Sequence, residues 1–357
     1  MRLGVEAAIV GGEVVRGDVA VSDGVVSDVG LAGKGGVGIA IPGLVDLQVN
    51  GYAGVDLLGD PDRAEDVAEA LARDGTTAWQ PTLITSPVDR MREVCRALRD
   101  VPGSVGVHLE GPFLSPEKPG THPTPYLREP DLDVLRLLLD AGPVTTVTLA
   151  PELPGALELV DELVARGVVA SLGHTNATAA EAAAAFDRGA STVTHLFNAM
   201  RSFHHREPGV IGAALARPEV VVQLIADGVH VADEAVLLAW RAASGRLALV
   251  SDAVAAAGLG DGVYRLGEVE VHVENGVCAR ADGTLAGSAS SALDGVRTLV
   301  RLGVALPDAV QAATAVPARI LGRDDLGRLE PGRPAGIVVL DDRLEVARVV
   351  REGARID

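Results

Sequence analysis

The sequence predicts an α/β protein built on a (β/α)8 barrel, and two features carry that expectation. Eight apolar runs follow one another along the chain, most of them separated by alanine- and leucine-rich helical stretches. Carboxylates and histidines also stand at or just after the C-terminal ends of several runs, and in a closed parallel barrel those ends meet on one face. A doubly wound sheet is the alternative, but the chain lacks the glycine-rich strand-to-helix opening such a sheet would need.

In chain order the runs are 39–47 (IAIPGLVDL), 76–84 (TTAWQPTLI), 104–110 (SVGVHLE) and 144–150 (VTTVTLA). They continue with 168–174 (VVASLGH), 191–197 (STVTHLF), 220–227 (VVVQLIAD) and 247–252 (LALVSD). Helical segments are expected over 63–75, 132–142, 155–167, 178–189 and 233–245, each ending in glycine as helix C-termini tend to. The first forty residues read differently, as short β-like pieces broken by glycine, with Ser22-Asp23-Gly24 between valine-rich runs as a hairpin signal. The last thirty-odd residues repeat that texture.

Composition narrows the partners. A formal net charge of −18 argues against nucleic acid or an anionic membrane, both of which need basic surface. Lys34 and Lys118 are the two lysines, so arginine carries nearly all positive charge. Cys95 and Cys278 are far apart and share no metal-type spacing, which fits a reducing compartment better than a disulfide framework. No apolar run approaches the ~18 residues of a membrane span, and the N-terminus has no signal-peptide pattern. A cytoplasmic protein is expected.

Glu110, His174 and His195 stand at the ends of three of the runs and make an O/N/N donor set suited to Zn2+ or a similar divalent ion. Three protein ligands leave a position for water, the arrangement of a catalytic rather than a structural ion. Asp252 ends the eighth run, where a carboxylate could take a proton from that water and later deliver it to a leaving group. A single histidine at a strand end is ordinary; two with a glutamate and an aspartate at four barrel strands suggest a site. His122 and His230 lie in glycine-containing loops, and alone each reads as a surface histidine. In the stretch 195–209, Asn198 and Arg206 follow a candidate ligand, and Arg206 with its neighbouring histidines suits an anion such as phosphate.

These stretches resemble a known family. IPGLVDLQVNG, HLEGPFLSPEKPGTHP, SLGHTNAT, THLFNAM, REPG, IADGVH, VSDA and TLAGSAS, in this order, are similar to the N-acetylglucosamine-6-phosphate deacetylase family of the amidohydrolase superfamily. The likeness covers nearly the whole chain. It implies a barrel over 42–310 and a small β-sandwich domain formed by both termini, 1–41 and 311–357. The implied reaction removes acetate from the 2-acetamido group of a sugar phosphate. By resemblance Glu110, His174 and His195 bind the metal, and Asp252 is the general base and then acid. By the same resemblance Thr121 is a substrate-binding residue, His122 contacts the substrate near its carbonyl, Asn198, Ala199, Arg206 and His230 hold the sugar and its phosphate, and Leu285, Ala286 and Gly287 form a lining turn. Arg206 reaching a neighbouring subunit's site would imply a homodimer. Many superfamily members carry His-x-His at the first strand to support a second metal. Here Gln48 and Asn50 stand in those places, and neutral carboxamides are poor zinc ligands, so a single divalent ion is expected. A cyclic-amide hydrolase, which commonly needs a metal pair bridged by a carboxylated lysine, is disfavoured because no apolar run contains lysine.

Overall fold

Eight parallel strands lie side by side in sequence order: Leu44–Val49, Thr76–Ile84, Val107–Glu110, Val144–Leu149, Val169–Leu172, Thr192–Val193, Val221–Leu224 and Leu247–Leu249. The structure is a computed structural model describing residues 1–32, 35–351 and 353–356; Lys34 lies outside them. The sheet is brought round on itself by the backbone just beyond the eighth strand. There Val49 bridges Ala253 in parallel, Asn50 N donates to Ala253 O at 2.8 Å, and Ser251 N donates to the Asp46 carboxylate at 3.1 Å. Helices on the outside join the strands, as a right-handed parallel crossover requires. The result is a (β/α)8 barrel.

The five expected helices are present as Ala64–Arg73, Leu132–Leu139, Ala156–Ala165, Ala179–Asp187 and Asp233–Ala242. Three more complete the ring: Val88–Ala97, Gly209–Leu215 and Ala292–Arg301. Val88–Ala97 buries only Met91, Val94 and Cys95, a narrow stripe at helical spacing on an otherwise charged segment. Gly209–Leu215 is too short to show a period.

The run 39–47 departs from expectation, because it is two strands in two different sheets and not one. Ile39–Pro42 pairs antiparallel with Ile337–Leu340 and parallel with Ala7–Val10, whereas Leu44–Val49 opens the barrel. Gly43 is the joint: a Cβ there would come within 2.0 Å of Thr77 Oγ1, so the chain can pass between the sheets only without a side chain.

The terminal segments form a small β unit. A six-stranded sheet runs Glu13–Arg16, Ala7–Val10, Ile39–Pro42, Ile337–Leu340, Val346–Arg351, Ala354–Ile356, and it faces the hairpin Asp18–Ser22/Val25–Leu31. Leu3, Ala8, Val19, Val26, Ile337 and Val350 fill the space between them. The hairpin turn is the expected one, with Asp23 and Gly24 both at positive φ (51° and 78°), as a two-residue type I′ turn demands. Helix Ala315–Ile320 reaches the barrel, where Ala318 packs with Val45, Ala78, Ile225 and Val250. A three-stranded antiparallel insertion, Gly262–Leu266, Val269–Glu274 and Val277–Ala279, comes after the eighth barrel strand. Cys95 and Cys278 are separate buried thiols, and burial pushes both up to about 12. Among the described residues, no helix is long and apolar enough to cross a membrane.

Candidate active site

Each candidate side chain owes its place to a strand end. Glu110 is the last residue of the third strand, while His174, His195 and Asp252 come within three residues of the ends of the fifth, sixth and eighth. The chain turns sharply at the last three: His174, His195 and Asp252 all adopt positive φ, 47°, 29° and 52°. That conformation costs a non-glycine residue of order 1–3 kcal/mol, and such strain gathers where a side chain must be aimed. Below His195, the Thr194 hydroxyl is anchored to those of Thr148 (2.7 Å) and Ser171 (2.6 Å), so the turn rests on a buried chain of hydrogen bonds.

Four strands thus deliver their side chains to one point. Glu110 Oε1 lies 2.9 Å from His195 Nε2 and 3.3 Å from His174 Nε2, and the two imidazole nitrogens are 3.1 Å apart. Around a tetrahedral zinc with bonds of ~2.0–2.1 Å, neighbouring ligand atoms sit roughly 3.3–3.4 Å apart, so the spacing suits a divalent cation. All three residues are buried. His122 also approaches, with Nε2 3.5 Å from Glu110 Oε2, and Glu110, His122 and His174 have donor atoms all within 4.8 Å of one another. The chain therefore holds a glutamate–histidine cluster of the kind that takes a divalent ion.

The electrostatics arise from burial and mutual contact. Burial would raise the Glu110 carboxyl, but hydrogen bonds from His122, His174 and His195 outweigh it and hold the group well below the usual range. Burial pushes His174 down to about 4, helped by His122, which leaves its imidazole neutral and ready to ligate. For His195 burial is overcome by the facing carboxylates of Glu110 and Asp252, and the group is raised. Asp252 is pushed up to about 7, first by loss of solvent and then by the Glu110 charge. Asn50 Nδ2 donates to Asp252 Oδ1 at 2.8 Å, so this carboxamide orients the candidate base. Gln48 Nε2 likewise donates to Glu110 Oε1 at 3.1 Å.

The cluster forms the floor of a cavity of about 380 Å3. Thr121, His122, Asn198, Ala199 and His230 line it, as do Leu285 and Gly287. His230 Nδ1 is held by Asp227 Oδ2 at 2.8 Å. Two expected contacts are placed elsewhere. Ala286, between Leu285 and Gly287, is fully buried and does not line the cavity, and Arg206 sits on an exposed loop with Nη1 2.9 Å from His205 Nε2. The loop 117–122 folds over the cluster, and at Gly120 (φ 54°) a Cβ would lie 3.0 Å from the His174 ring. His174 Nδ1 is 3.0 Å from Lys118 O, a contact that orients the ring. Glu117 and Lys118 line the cavity without any sequence signal beyond their place in a proline-rich loop.

Residues 39–356 match the Amidohydrolase family. The chain is 40% identical over 324 residues to N-acetylgalactosamine-6-phosphate deacetylase of Escherichia coli O157:H7, covering 87% of this chain and 86% of that protein. It is 40% identical over 337 residues to N-acetylglucosamine-6-phosphate deacetylase of Bos taurus, covering 86% and 81%. Among solved structures, a mutant N-acetyl-D-glucosamine-6-phosphate deacetylase of Mycobacterium smegmatis in complex with N-acetyl-D-glucosamine-6-phosphate is 34% identical, covers 99% of this chain and 98% of that one, and superposes with a TM-score of 0.93. With a barrel, a glutamate–histidine cluster at its mouth and relatives of this closeness, the chain belongs to the amidohydrolase family.

Proposed function

We propose that the protein hydrolyses the acetamide of an N-acetylhexosamine 6-phosphate, with N-acetyl-D-glucosamine 6-phosphate as substrate and acetate and D-glucosamine 6-phosphate as products. The observation that carries this reading is the meeting of Glu110, His174 and His195 beside Asp252 on the floor of one cavity. Glu110, His174 and His195 would hold one divalent ion, Zn2+ by the chemistry of the donor set. When bound, such an ion supplies an acidified water and a polarised carbonyl. Asp252, already raised toward neutrality, accepts a proton from the attacking water as the new C–O bond forms. It returns that proton to the amide nitrogen as the C–N bond breaks, so acetate and the free amine leave together. Asn50 keeps the Asp252 carboxylate aimed throughout.

The same reading assigns Thr121 and His122 to the acetamide end of the cavity, and Asn198, Ala199, His230 and the 285–287 turn to the sugar. Arg206 would take the phosphate from across a homodimer interface, which its exposed position in one chain supports. The strongly negative net charge supports a small-molecule partner rather than nucleic acid or membrane, and two buried free thiols support a cytoplasmic location. The galactosamine epimer is the second reading, favoured by the name of the 40%-identical Escherichia coli relative; acetate release from each epimer in parallel separates the two. The mechanism is tested by Asp252→Asn. An amide cannot shuttle the proton, so kcat should fall roughly a hundred- to ten-thousandfold while metal content and KM are kept. Turnover near wild type would remove Asp252 from the chemistry.

A further inference from the structure

Glu110, His174 and His195 belong to the third, fifth and sixth strands and the turns that follow them, and the fourth strand, Val144–Leu149, supplies none of the three. Its residue Thr148 nevertheless meets the chain beside every one of them. His108 shares a strand face with Glu110 two residues on, and its Nε2 lies 2.7 Å from Thr148 Oγ1. The same hydroxyl lies 2.7 Å from Thr194 Oγ1, one residue before His195. The Thr148 carbonyl accepts from Gly111 N at 3.1 Å, so Glu110 is held from both sides. A Cβ on Gly173, the residue before His174, would come within 2.8 Å of Thr148 Cγ2, so that turn leans on the threonine methyl. Thr148, His108 and Thr194 are all buried, where a lost contact has no bulk water to replace it. A hydroxyl both donates and accepts, so the two 2.7 Å contacts hold whichever way the protons run.

We propose that Thr148 is a positioning residue for the metal site. Its hydroxyl couples the strand of Glu110 to the turn of His195 and its methyl backs the turn of His174, so that three side chains from separate strands keep the spacing of one cation. The inference rests on Glu110, His174 and His195 being the ligands, as the proposed function has them. Thr146 provides the contrast. It lies two residues earlier on the same strand face and is equally buried, and its hydroxyl accepts from Gln80 Nε2 at 2.8 Å. That bond leads to the second strand, which carries no candidate ligand.

The test reads metal binding and needs no substrate. Zn2+ affinity of the metal-stripped protein is measured by competition with a chromophoric chelator. Thr148→Val, which keeps the shape and removes the hydroxyl, should weaken Zn2+ binding roughly tenfold or more, the usual cost of losing a partner behind a ligand. Thr148→Ser keeps the hydroxyl and should retain most of the affinity. Thr146→Val should bind Zn2+ as wild type does. Both valine variants strand a buried polar partner and should lose stability alike, so a loss of affinity confined to T148V is not a matter of stability. Loaded with Co2+, T148V should show an altered visible absorption spectrum, since that spectrum reports ligand geometry, and T146V should not. If T148V does not fold, Thr194→Val cuts the same bridge from the His195 side and is held to the same expectation. Wild-type Zn2+ affinity in the bridge-cutting variant, or an equal loss in T146V, would overturn the role of Thr148. Wild-type protein with no affinity for Zn2+ would strike the ligand assignment and this inference with it. Protein that binds Zn2+ as expected yet releases no acetate would strike the deacetylase reading and leave the role of Thr148 standing.

Discussion

His174, His195 and Asp252 share an unusual backbone state, and it explains how ordinary residue types become a site. Each leaves its strand in a left-handed turn, which swings the side chain over the barrel mouth, where Glu110 already points. These four residues were legible in the sequence because carboxylates and imidazoles are conspicuous at the ends of apolar runs. Lys118 was not, because a loop carbonyl acquires meaning only from a neighbour distant in the chain. Gln48 and Asn50 show both sides: the sequence marks them as poor ligands, and only the fold shows their contacts with Glu110 and Asp252. Arg206 gives a prediction for a single side chain. If it takes the phosphate from a partner subunit, Arg206→Ala should raise KM for the phosphorylated sugar about tenfold or more, while leaving the weak turnover of unphosphorylated N-acetylglucosamine unchanged. Steady-state kinetics on both sugars decide the matter, and equal effects would place the phosphate elsewhere.

The loops after the strands are tied to one another by buried polar groups, and Asp56 is the clearest case. It lies in the short strand Val55–Asp56, and its Oδ2 accepts from Gly59 N (3.0 Å) and from Gly267 N (2.8 Å) in the inserted antiparallel unit. Burial nevertheless wins over these bonds and pushes the carboxyl up to about 6. With the folded value above the unfolded one, the folded state holds a proton that the unfolded state releases, so the contribution is greatest at low pH and lost as pH rises through about 6. Asp56→Asn cannot ionise. Its stability relative to wild type should therefore improve by about 1 kcal/mol between pH 5 and 7.5, read from thermal or denaturant unfolding; a constant gap would show that Asp56 is not held protonated. Most strands and five helices could be placed from apolar runs and terminal glycines. The split at Gly43 could not, since whether a strand joins a parallel or an antiparallel neighbour depends on residues some 300 positions away.

The assembled molecule unites two different tasks. The β unit made from both ends of the chain packs its own core, and the barrel gathers polar residues separated by as many as 205 positions, as Ser251 and Asp46 show. Net charge had argued against nucleic acid and anionic membrane as partners, and order along the chain had pointed to a barrel; the closure through Val49 and Ala253 had no local signature. Activity should therefore depend on a cation held by Glu110, His174 and His195. The decisive measurement is acetate release from N-acetyl-D-glucosamine 6-phosphate by the purified protein, before chelation, after chelation and after restoring Zn2+. Acetate and free amine should appear in equal amounts, stop when the metal is removed and return when it is supplied. Undiminished release from fully stripped protein, or none from protein carrying its metal, would contradict the account.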